Sequence, residues 1–435
     1  MMLSHSYLYA GLQELILSDY LYIDKSRRLL ELLCELENSP RFYSPNVYLM
    51  IRPRGFGLSL AAEAIEKLSS SDRGFLDKLS LTDEFKQLPV HHVISFDFKH
   101  FTASTPKEFS NELIEHIQKL YWKQHIESHI HPYETPRAYF ASLLTAVAKR
   151  HKEPAVVVID NYDLPFRIAA DMPKQYQQEA ISSYLDMLNA VKHSEDKVSW
   201  CLLTGHTKFP LASDISEGLP LVTDISNDPR FESLFGLTLD EVSILFDDKI
   251  SEFSKKLGVS YKDYLNALRA CYGGFCFSDN LIEVLCPACI SRAMDNKGNL
   301  YPYTAGGDYR FLKNIFKRSN PNLKWLFDKD GQDPLHTWPV DIDPCGKQLG
   351  ALLIQMGFVS RNKVTVHEYE SYTTWRYRFD YPNEDMRRTL LYVRDQINEE
   401  KINSPFTIEE LNEIENTRRY LDGEDVFELL KEEEL

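Results

Sequence analysis

The stretch that decides the fold reads Val47-Tyr48-Leu49-Met50-Ile51-Arg52-Pro53-Arg54-Gly55-Phe56-Gly57-Leu58-Ser59. Its first five residues form an uninterrupted apolar run, which is typical of a short strand buried on both faces of a sheet. After the two glycines, apolar residues recur at helical spacing, at Leu58, Ala61, Ala62, Ile65 and Leu68. The stretch therefore predicts a strand, a glycine-containing turn and a helix, in that order.

The same alternation continues as far as about residue 245. Strand-like segments cover 92–97, 155–160 and 198–204, and helical segments cover 108–125, 139–150 and 177–191. Strands that alternate with helices indicate a parallel sheet covered on both faces. We therefore predict an α/β domain over residues 46–245.

Four further segments surround this domain. Two short strands between helices make one of them resemble a winged helix. The segments are an N-terminal helical segment (1–45), a helical subdomain (246–335), a small α+β, winged-helix-like domain (336–397, with strands at 363–367 and 375–379) and an acidic helical tail (398–435).

The charge of the chain disfavours one class of partner. The formal net charge is -16, and the segment from Asp395 to Leu435 holds 14 acidic and 4 basic residues, a net of -10. An acidic surface repels phosphate backbones, so broad nucleic-acid binding is not expected. A protein partner is expected instead. The tail is either a solvated terminal helix or a docking helix for a basic partner.

The remaining composition points to the cytoplasm. No run of 18 apolar residues occurs, so a membrane-spanning helix is not expected. The first residues also lack the charged and apolar blocks of a signal peptide. Seven scattered cysteines in a long chain fit a reducing compartment.

The loop after the first strand departs from a nucleotide-binding pattern. A working P-loop, G-x-x-x-x-G-K-[ST], cradles phosphates with backbone N–H groups, while its lysine reaches the terminal oxygens and its hydroxyl holds magnesium. Gly57 and Ser59 stand at the positions of the second glycine and the hydroxyl residue. Leu58 takes the place of the lysine and Arg52 that of the first glycine. As a bare pattern, the loop does not qualify.

Several segments in order nevertheless resemble the bacterial AAA-ATPase-like family, a P-loop domain often fused to a PD-(D/E)XK nuclease. That family writes Arg-Pro-Arg-Arg-Phe-Gly-Lys-Ser-Leu at the loop, so Arg52 is ordinary and Leu58 is a real departure. The other matching segments are Tyr22-Ile23-Asp24-Lys25-Ser26, Ile159-Asp160-Asn161-Tyr162-Asp163-Leu164-Pro165, Leu203-Thr204-Gly205, Leu221-Val222-Thr223-Asp224-Ile225, Phe235-Gly236-Leu237-Thr238-Leu239-Asp240-Glu241-Val242, Tyr272-Gly273-Gly274-Phe275-Cys276-Phe277 and Tyr381-Pro382-Asn383-Glu384.

The resemblance implies a P-loop NTPase (AAA-like) fold with ATP or ADP and magnesium as ligands. Ser59 and Asp160 would hold the magnesium ion if a nucleotide binds. The full set of implied nucleotide contacts is Lys25, Arg52, Arg54, Gly55, Gly57, Ser59, Asp160 and Thr204.

Two departures from the family bear on catalysis. In the family, an acidic pair after the third strand supplies a magnesium-binding Asp and a Glu that polarises the attacking water. Asp160 is retained, but the second position is Asn161, and a carboxamide cannot accept a proton at neutral pH. Leu58 removes a cation whose electrostatic effect is often worth roughly 3 kcal/mol or more. The pattern favours a pseudo-ATPase that serves as a regulatory or scaffolding module.

Two alternatives remain open. An active ATP hydrolase could use Asp160 and substitutes such as Lys25 and Asp163. Alternatively, Leu58 could pack into the core where a phosphate would lie, which would leave a purely structural interaction protein. His206 follows Thr204-Gly205, where P-loop enzymes carry a γ-phosphate sensor, and could contact a ligand or simply occupy the loop.

Two other kinds of site are weighed and not favoured. Cys271, Cys276, Cys286 and Cys289 have a spacing that zinc tolerates, but helical buried thiols are the better interpretation. A PD-(D/E)XK nuclease needs an Asp and a Glu-x-Lys on adjoining strands. The residues after Asn383 read as helix, so the nuclease domain is not expected.

Overall fold

The computed structural model describes residues 25–38, 46–71, 73, 82–127, 135–194, 196–211, 222–307, 309–319, 349–368, 373–394 and 399–413. These residues divide into two units. The first unit holds the described residues as far as Phe235 together with 349–356, and the second holds the remainder. The helix predicted before residue 25 and the tail beyond residue 413 lie outside the described residues.

The first unit alternates strands and helices, as the sequence predicts. Its elements are α1 (Ser26–Asn38), β1 (Asn46–Ile51), α2 (Leu58–Ser69), α3 (Thr82–Lys86), β2 (Val93–Asp97), α4 (Pro106–Lys123), α5 (Pro136–His151), β3 (Ala155–Asp160), α6 (Leu164–Asp171), α7 (Lys174–Lys192), β4 (Val198–Gly205) and β5 (Thr223–Asp224).

A five-stranded parallel sheet organises this unit, with strand order β2-β3-β4-β1-β5. Every residue of β3 and β4 is buried, as expected for strands covered on both faces. The predicted α/β class and its flanking helices are confirmed. Because all strands run the same way, their carboxyl ends meet at one edge, which is where ligands bind in open parallel sheets.

Two features at the edge of the sheet were not predicted from the sequence. Thr223–Asp224 pairs with β1 as a short fifth strand that the sequence did not reveal, because two residues carry no period. Residue Phe98, just beyond β2, donates its backbone N–H to Asp160 O at 3.2 Å, so the ends of β2 and β3 are tied together.

An aromatic cluster fixes the end of β2. The Phe96 ring lies edge-on to Phe140 at 5.1 Å, and the Phe98 ring lies edge-on to Tyr184 at 5.6 Å. Both phenylalanines are at most 2% exposed. Side chains alternate along a strand, so Asp97 between them points away from this cluster.

Helix α1 is anchored by one carboxylate. Its apolar stripe of Leu29, Leu32, Leu33 and Leu36 is buried. Glu37 accepts a hydrogen bond from Trp200 Nε1 at 2.9 Å and lies 2.9 Å from His91 Nε2. The pairing ties the helix to the start of β4, where Trp200 is 1% exposed.

The second unit has short helices and two small hairpins. Its elements are α8 (Leu239–Leu245), α9 (Asp247–Leu257), α10 (Tyr261–Tyr272), β6 (Phe275–Cys276), β7 (Glu283–Val284), α11 (Pro287–Asp295), α12 (Arg310–Ser319), β8 (Ser360–Glu368), β9 (Thr373–Asp380), α14 (Glu384–Val393) and α15 (Glu399–Ile402), and α13 (Leu349–Gln355) precedes β8 in the chain.

Two segments that match the family contain helix caps in this unit. Thr238 and Glu241 form a capping box at the start of α8. Asn383 caps α14 by accepting from Met386 N at 3.0 Å, and its amide donates to Gly273 O at 2.6 Å. The second contact joins two segments that are far apart in sequence.

The division into units differs from the predicted boundaries at 245 and 336. The break falls at Gly236, and α13 groups with the first unit. The reason is visible at Gln355, which is 1% exposed and whose Oε1 accepts from Lys208 N at 2.8 Å. The strand pair β8–β9 occurs where the sequence predicts it, whereas the likeness to a winged helix stays a prediction. In the described part of the chain, no helix has the length and apolarity needed to cross a bilayer.

Candidate functional site

The loop between β1 and α2 combines exposed backbone with a left-handed turn. Arg54, Gly55 and Gly57 are exposed. Gly57 precedes α2 with φ 80°, a conformation that side chains with a Cβ avoid, although the space around it is open. No side chain caps this end of the 12-residue helix. The arrangement suits an anion at the helix N-terminus.

Leu58 belongs to the core. It is the first residue of α2 and is 4% exposed, like Ala62 on the same stripe, and Ile65 is 1% exposed. Phe56 in the loop itself is 3% exposed. At the position of the missing lysine, an aliphatic side chain therefore packs inward.

Arg52 is committed to the protein's own backbone. Its guanidinium donates to Ser226 O at 2.7 Å, Ile51 O at 2.8 Å and Phe231 O at 3.3 Å, and it is 1% exposed. Burial lowers the pKa of Arg52, which nearby carboxylates partly oppose. These bonds brace the segment after β5, and a contact between Arg52 and a phosphate stays a prediction.

Lys25 braces the same segment. Its Nζ donates to Ser233 O at 3.1 Å. The sequence prediction placed this ammonium at a nucleotide, either as a contact or as a catalytic substitute. The observed bond ties the start of α1 to the chain after β5. Both predicted roles stay predictions.

Three predicted residues do come together at the carboxyl end of β3. Thr204 Oγ1 donates to Asp160 Oδ1 at 2.6 Å, and the hydroxyl of Ser59 lies near enough to this carboxylate to lower its pKa. Burial raises the pKa of Asp160, the charge of Asp97 adds to the rise, and the two hydroxyls oppose it. The loop, β3 and β4 thus contribute one residue each to a compact oxygen-rich cluster.

Asn161 completes the cluster from an unusual backbone conformation. Its φ is 54°, a left-handed value that asparagine tolerates better than most residues. Its amide Nδ2 donates to Asp160 Oδ2 at 3.1 Å and to Asp97 Oδ1 at 2.9 Å. The residue at the predicted position of the catalytic Glu therefore bridges two carboxylates.

Asp97 and its neighbour Lys99 were missed by the sequence interpretation. Asp97 pairs with Asp160 across the sheet, and Lys99 Nζ lies 3.0 Å from Asp97 Oδ2. The one available signal was an acidic residue at the end of a predicted strand. Which strand lies beside it depends on the sheet order, which the sequence does not give.

Asp163, a catalytic candidate from the sequence, is a buried group in the structure. It is 0% exposed and accepts from Thr207 Oγ1 at 2.7 Å and from Thr207 N at 3.1 Å. Burial by itself would raise the pKa of Asp163, but the charge of Arg167 and the hydrogen bonds that the carboxylate accepts outweigh burial and lower the pKa. A Cβ on Gly205 would lie 2.6 Å from Asp163 Oδ1. The carboxylate is enclosed and cannot reach a ligand in the loop.

His206 is a neutral group beside the loop. Its Nδ1 lies 2.9 Å from Arg52 O, and since a carbonyl only accepts, Nδ1 carries the proton. Burial lowers the pKa of His206 to about 4, with Asp163 opposing and Arg167 and Arg54 assisting. The imidazole is therefore uncharged at neutral pH, and Arg54 lies near enough to influence it.

The cysteines of the second unit are free thiols. Cys271, Cys286 and Cys289 are buried, and Cys289 Sγ donates to Asp385 Oδ2 at 3.6 Å. Burial raises the pKa of Cys271, and a bond with Cys286 is the main reason that the pKa of Cys289 is raised. Among the residues that the structure describes, no three His, Cys, Asp or Glu side chains cluster as a metal site.

Residues 10–215 match the family model AAA-ATPase_like, described as Predicted AAA-ATPase. We refer to this region as the AAA-ATPase-like domain, after the model that it matches.

A curated relative matches part of this chain. It is the uncharacterized protein in the vnfD 5′ region of Azotobacter chroococcum mcd 1, 24% identical over 257 residues. The match covers 59% of this chain and 45% of that protein, so the chain spans about half the length of the curated relative.

Solved structures show looser likenesses. The ORC2 protein of Aeropyrum pernix in its ADPNP–ADP complexes has 13% identity and a TM-score of 0.34, covering 88% of this chain and 97% of that one. The replication initiator DnaA bound to AMPPCP and single-stranded DNA has 12% identity and a TM-score of 0.24, covering 61% of each chain. TM-scores this low assign no function to the AAA-ATPase-like domain.

Proposed function

We propose that the AAA-ATPase-like domain binds a nucleotide with magnesium at the loop 52–59 and hydrolyses it slowly, as a regulatory or scaffolding module for a protein partner. One observation carries the proposal. Thr204 donates a hydrogen bond to the Asp160 carboxylate, the Ser59 hydroxyl lies beside the same carboxylate, and the lysine position, Leu58, is buried. Ser59 and Asp160, the residues expected to hold magnesium, are present, whereas Leu58 and Asn161 stand at the positions of the family's lysine and glutamate.

The oxygen cluster fits magnesium. Mg²⁺ prefers hard oxygen ligands and needs only one or two protein groups when phosphates and waters complete its shell. Ser59 and Asp160 are such groups, and would hold the ion. Magnesium would supply charge neutralisation to the phosphates. Binding would also relieve the burial penalty of the Asp160 carboxylate, whose pKa is raised.

Slow hydrolysis follows from the two changed positions. Leu58 offers no cation to the terminal phosphate, an interaction commonly worth roughly 3 kcal/mol in the transition state. Asn161 uses its amide N–H groups on two carboxylates and cannot accept a proton. Arg54 is the exposed cation of the loop, and we propose that it partly replaces the charge that Leu58 lacks.

A second candidate is a protein-interaction module without any ligand. The burial of Leu58 and Phe56 favours it, because both side chains could fill space that phosphates would need. The two candidates differ in one observable. A ligand-free module shows no change in melting temperature with ATP, ADP or magnesium.

A cytoplasmic location remains a prediction from the cysteine content.

Calorimetric titration of the full chain with ATP and ADP, with magnesium or EDTA, tests the proposal. We expect saturable binding that is stronger with magnesium. The variant Ser59→Ala should lose the magnesium dependence. The control Ser110→Ala, which removes a hydroxyl of α4 bonded to Ser183 of α7, should keep it. Absence of binding under all conditions contradicts the proposal.

A further inference from the structure

We propose that Asp97 supplies the carboxylate that position 161 lacks, and that it accepts the proton of the attacking water when bound nucleotide is hydrolysed. The inference rests on the proposed function, since it needs a nucleotide at the loop 52–59. It assigns the slow turnover of the domain to a residue on β2, one strand away from the expected position.

The fold directs Asp97 toward the ligand edge of the sheet. It is the last residue of β2 and pairs with Asp160, the last residue of β3. Phe96 and Phe98 are buried in the aromatic cluster, so Asp97 takes the opposite side. Its side chain is 36% exposed, which gives water access to the carboxylate.

Asn161 links Asp97 to the retained half of the site. The amide donates to Asp97 Oδ1 at 2.9 Å and to Asp160 Oδ2 at 3.1 Å. A glutamate at position 161 would place a third negative charge between these two carboxylates, and like charges at such distances disfavour ionisation. The neutral amide removes that repulsion. Asn161 and Asp97 are therefore complementary: the carboxylate expected at position 161 is supplied by position 97, and position 161 carries a neutral amide.

The second oxygen of Asp97 can be released to a water molecule. Lys99 N donates to Oδ1 at 2.9 Å, and Lys99 Nζ lies 3.0 Å from Oδ2. The Lys99 side chain is 61% exposed, and ion pairs at such exposure contribute little net stability. Oδ1 is thus fixed by the backbone and Asn161, while Oδ2 has only a solvated partner.

The chemical step balances with these groups. Water forms a bond to the terminal phosphorus and gives its proton to the Asp97 carboxylate. The bond between that phosphorus and the bridging oxygen breaks, and the nucleoside diphosphate leaves with the electron pair. The proton then passes from Asp97 to solvent. The step stays slow because Leu58 provides no cation for the transferring group.

Exchanging the two functional groups tests the assignment. Asp97→Asn removes the carboxylate, and the double variant Asp97→Asn/Asn161→Asp restores one at the neighbouring position. Asp196→Asn is the matched control, because Asp196 is an exposed aspartate paired with Lys197 at 2.8 Å just before the amino end of β4. Phosphate release at saturating ATP and the Kd for ATP from calorimetry are measured for each, together with the melting temperature.

We expect Asp97→Asn to lower phosphate release at least about tenfold, since general-base assistance commonly contributes 10²–10⁴-fold. The Kd should change less than about threefold, and the double variant should recover most of the lost rate. Asp196→Asn should match the wild type. Restored turnover in the double variant also supports the assignment if Asp97→Asn alone proves unstable.

Three results overturn the inference. Turnover in Asp97→Asn equal to wild type, or no recovery in a folded double variant, shows that Asp97 only holds Asn161 in place. Binding of ATP by wild type with no phosphate release above the buffer blank removes the chemical step and the slow hydrolysis, and leaves the proposed nucleotide binding intact. Failure of every variant and the wild type to bind ATP contradicts both.

Discussion

Truncating Leu58 tests whether this position has become part of the core. Leu58 is 4% exposed, and Leu→Ala at buried sites costs about 2–5 kcal/mol of the free energy of unfolding. Position 58 begins a helix after an exposed loop, so the surroundings can partly close the cavity. We therefore expect Leu58→Ala to cost about 2–3 kcal/mol, the lower part of that range.

Amide hydrogen exchange on peptides from β1 and β4 measures this loss in the first unit alone. A cost of about 2–3 kcal/mol corresponds to exchange that is about 30- to 140-fold faster, at 1.4 kcal/mol per factor of ten. Leu58→Met keeps the volume and should cost less than about 1.5 kcal/mol. Exchange in Leu58→Ala within about threefold of wild type would refute the reasoning, because the side chain would then be dispensable to packing.

Three further perturbations probe the same unit. Gly205→Ala should destabilise it by about 1–3 kcal/mol in thermal unfolding, because the new Cβ would lie 2.6 Å from Asp163 Oδ1; unchanged stability would refute the close approach. Burial lowers the pKa of His206 to about 4, whereas its pKa in the unfolded state is about 6.5. Between these pH values the unfolded state binds more protons, so the free energy of unfolding should fall as pH drops from 6.5 to 4. His206→Gln should flatten that part of the pH profile of the denaturation midpoint, and an unaltered profile would contradict the assignment. Glu37→Ala should cost about 1–3 kcal/mol by leaving the buried Trp200 N–H unpaired, whereas Glu37→Gln, which keeps an acceptor, should cost less; equal losses in chemical denaturation would argue against this bond.

The sheet could be predicted because each of its buried strands can be recognised from its own residues. Residues 155–160 and 198–205 are buried throughout, and such strands appear in sequence as continuous apolar runs. Strand order is a different kind of information. It depends on pairings between distant segments, so the neighbour of Asp97 could not be deduced from the sequence around it.

The sequence predicted the site only where the position of a side chain follows from a local sequence motif. Ser59, Asp160 and Thr204 meet because each follows the pattern of a loop or strand end. Asp163 lies three residues from Asp160 in sequence, yet its carboxylate is fully buried. The left-handed turn at Asn161, with φ 54°, redirects the chain, and the Asp163 carboxylate ends beneath Gly205.

The loop cations illustrate a second limit. Arg52 occupies a position that reads as a phosphate contact, yet its guanidinium donates to three backbone carbonyls. Those carbonyls belong to Ile51 and to residues 226–231, most of them about 175 positions away. Only the folded chain reveals that they need a donor, since a buried carbonyl without a partner is costly.

The central claim is that the AAA-ATPase-like domain keeps a nucleotide site and lacks the charges for efficient turnover. Steady-state phosphate release by the wild-type chain, at an ATP concentration that calorimetry shows to be saturating, tests it most directly. We predict bound ATP with turnover at least about 100-fold below 1 s⁻¹, the lower end of typical kcat values. Turnover at 1 s⁻¹ or faster would contradict the account, because Leu58 and Asn161 would then not limit catalysis.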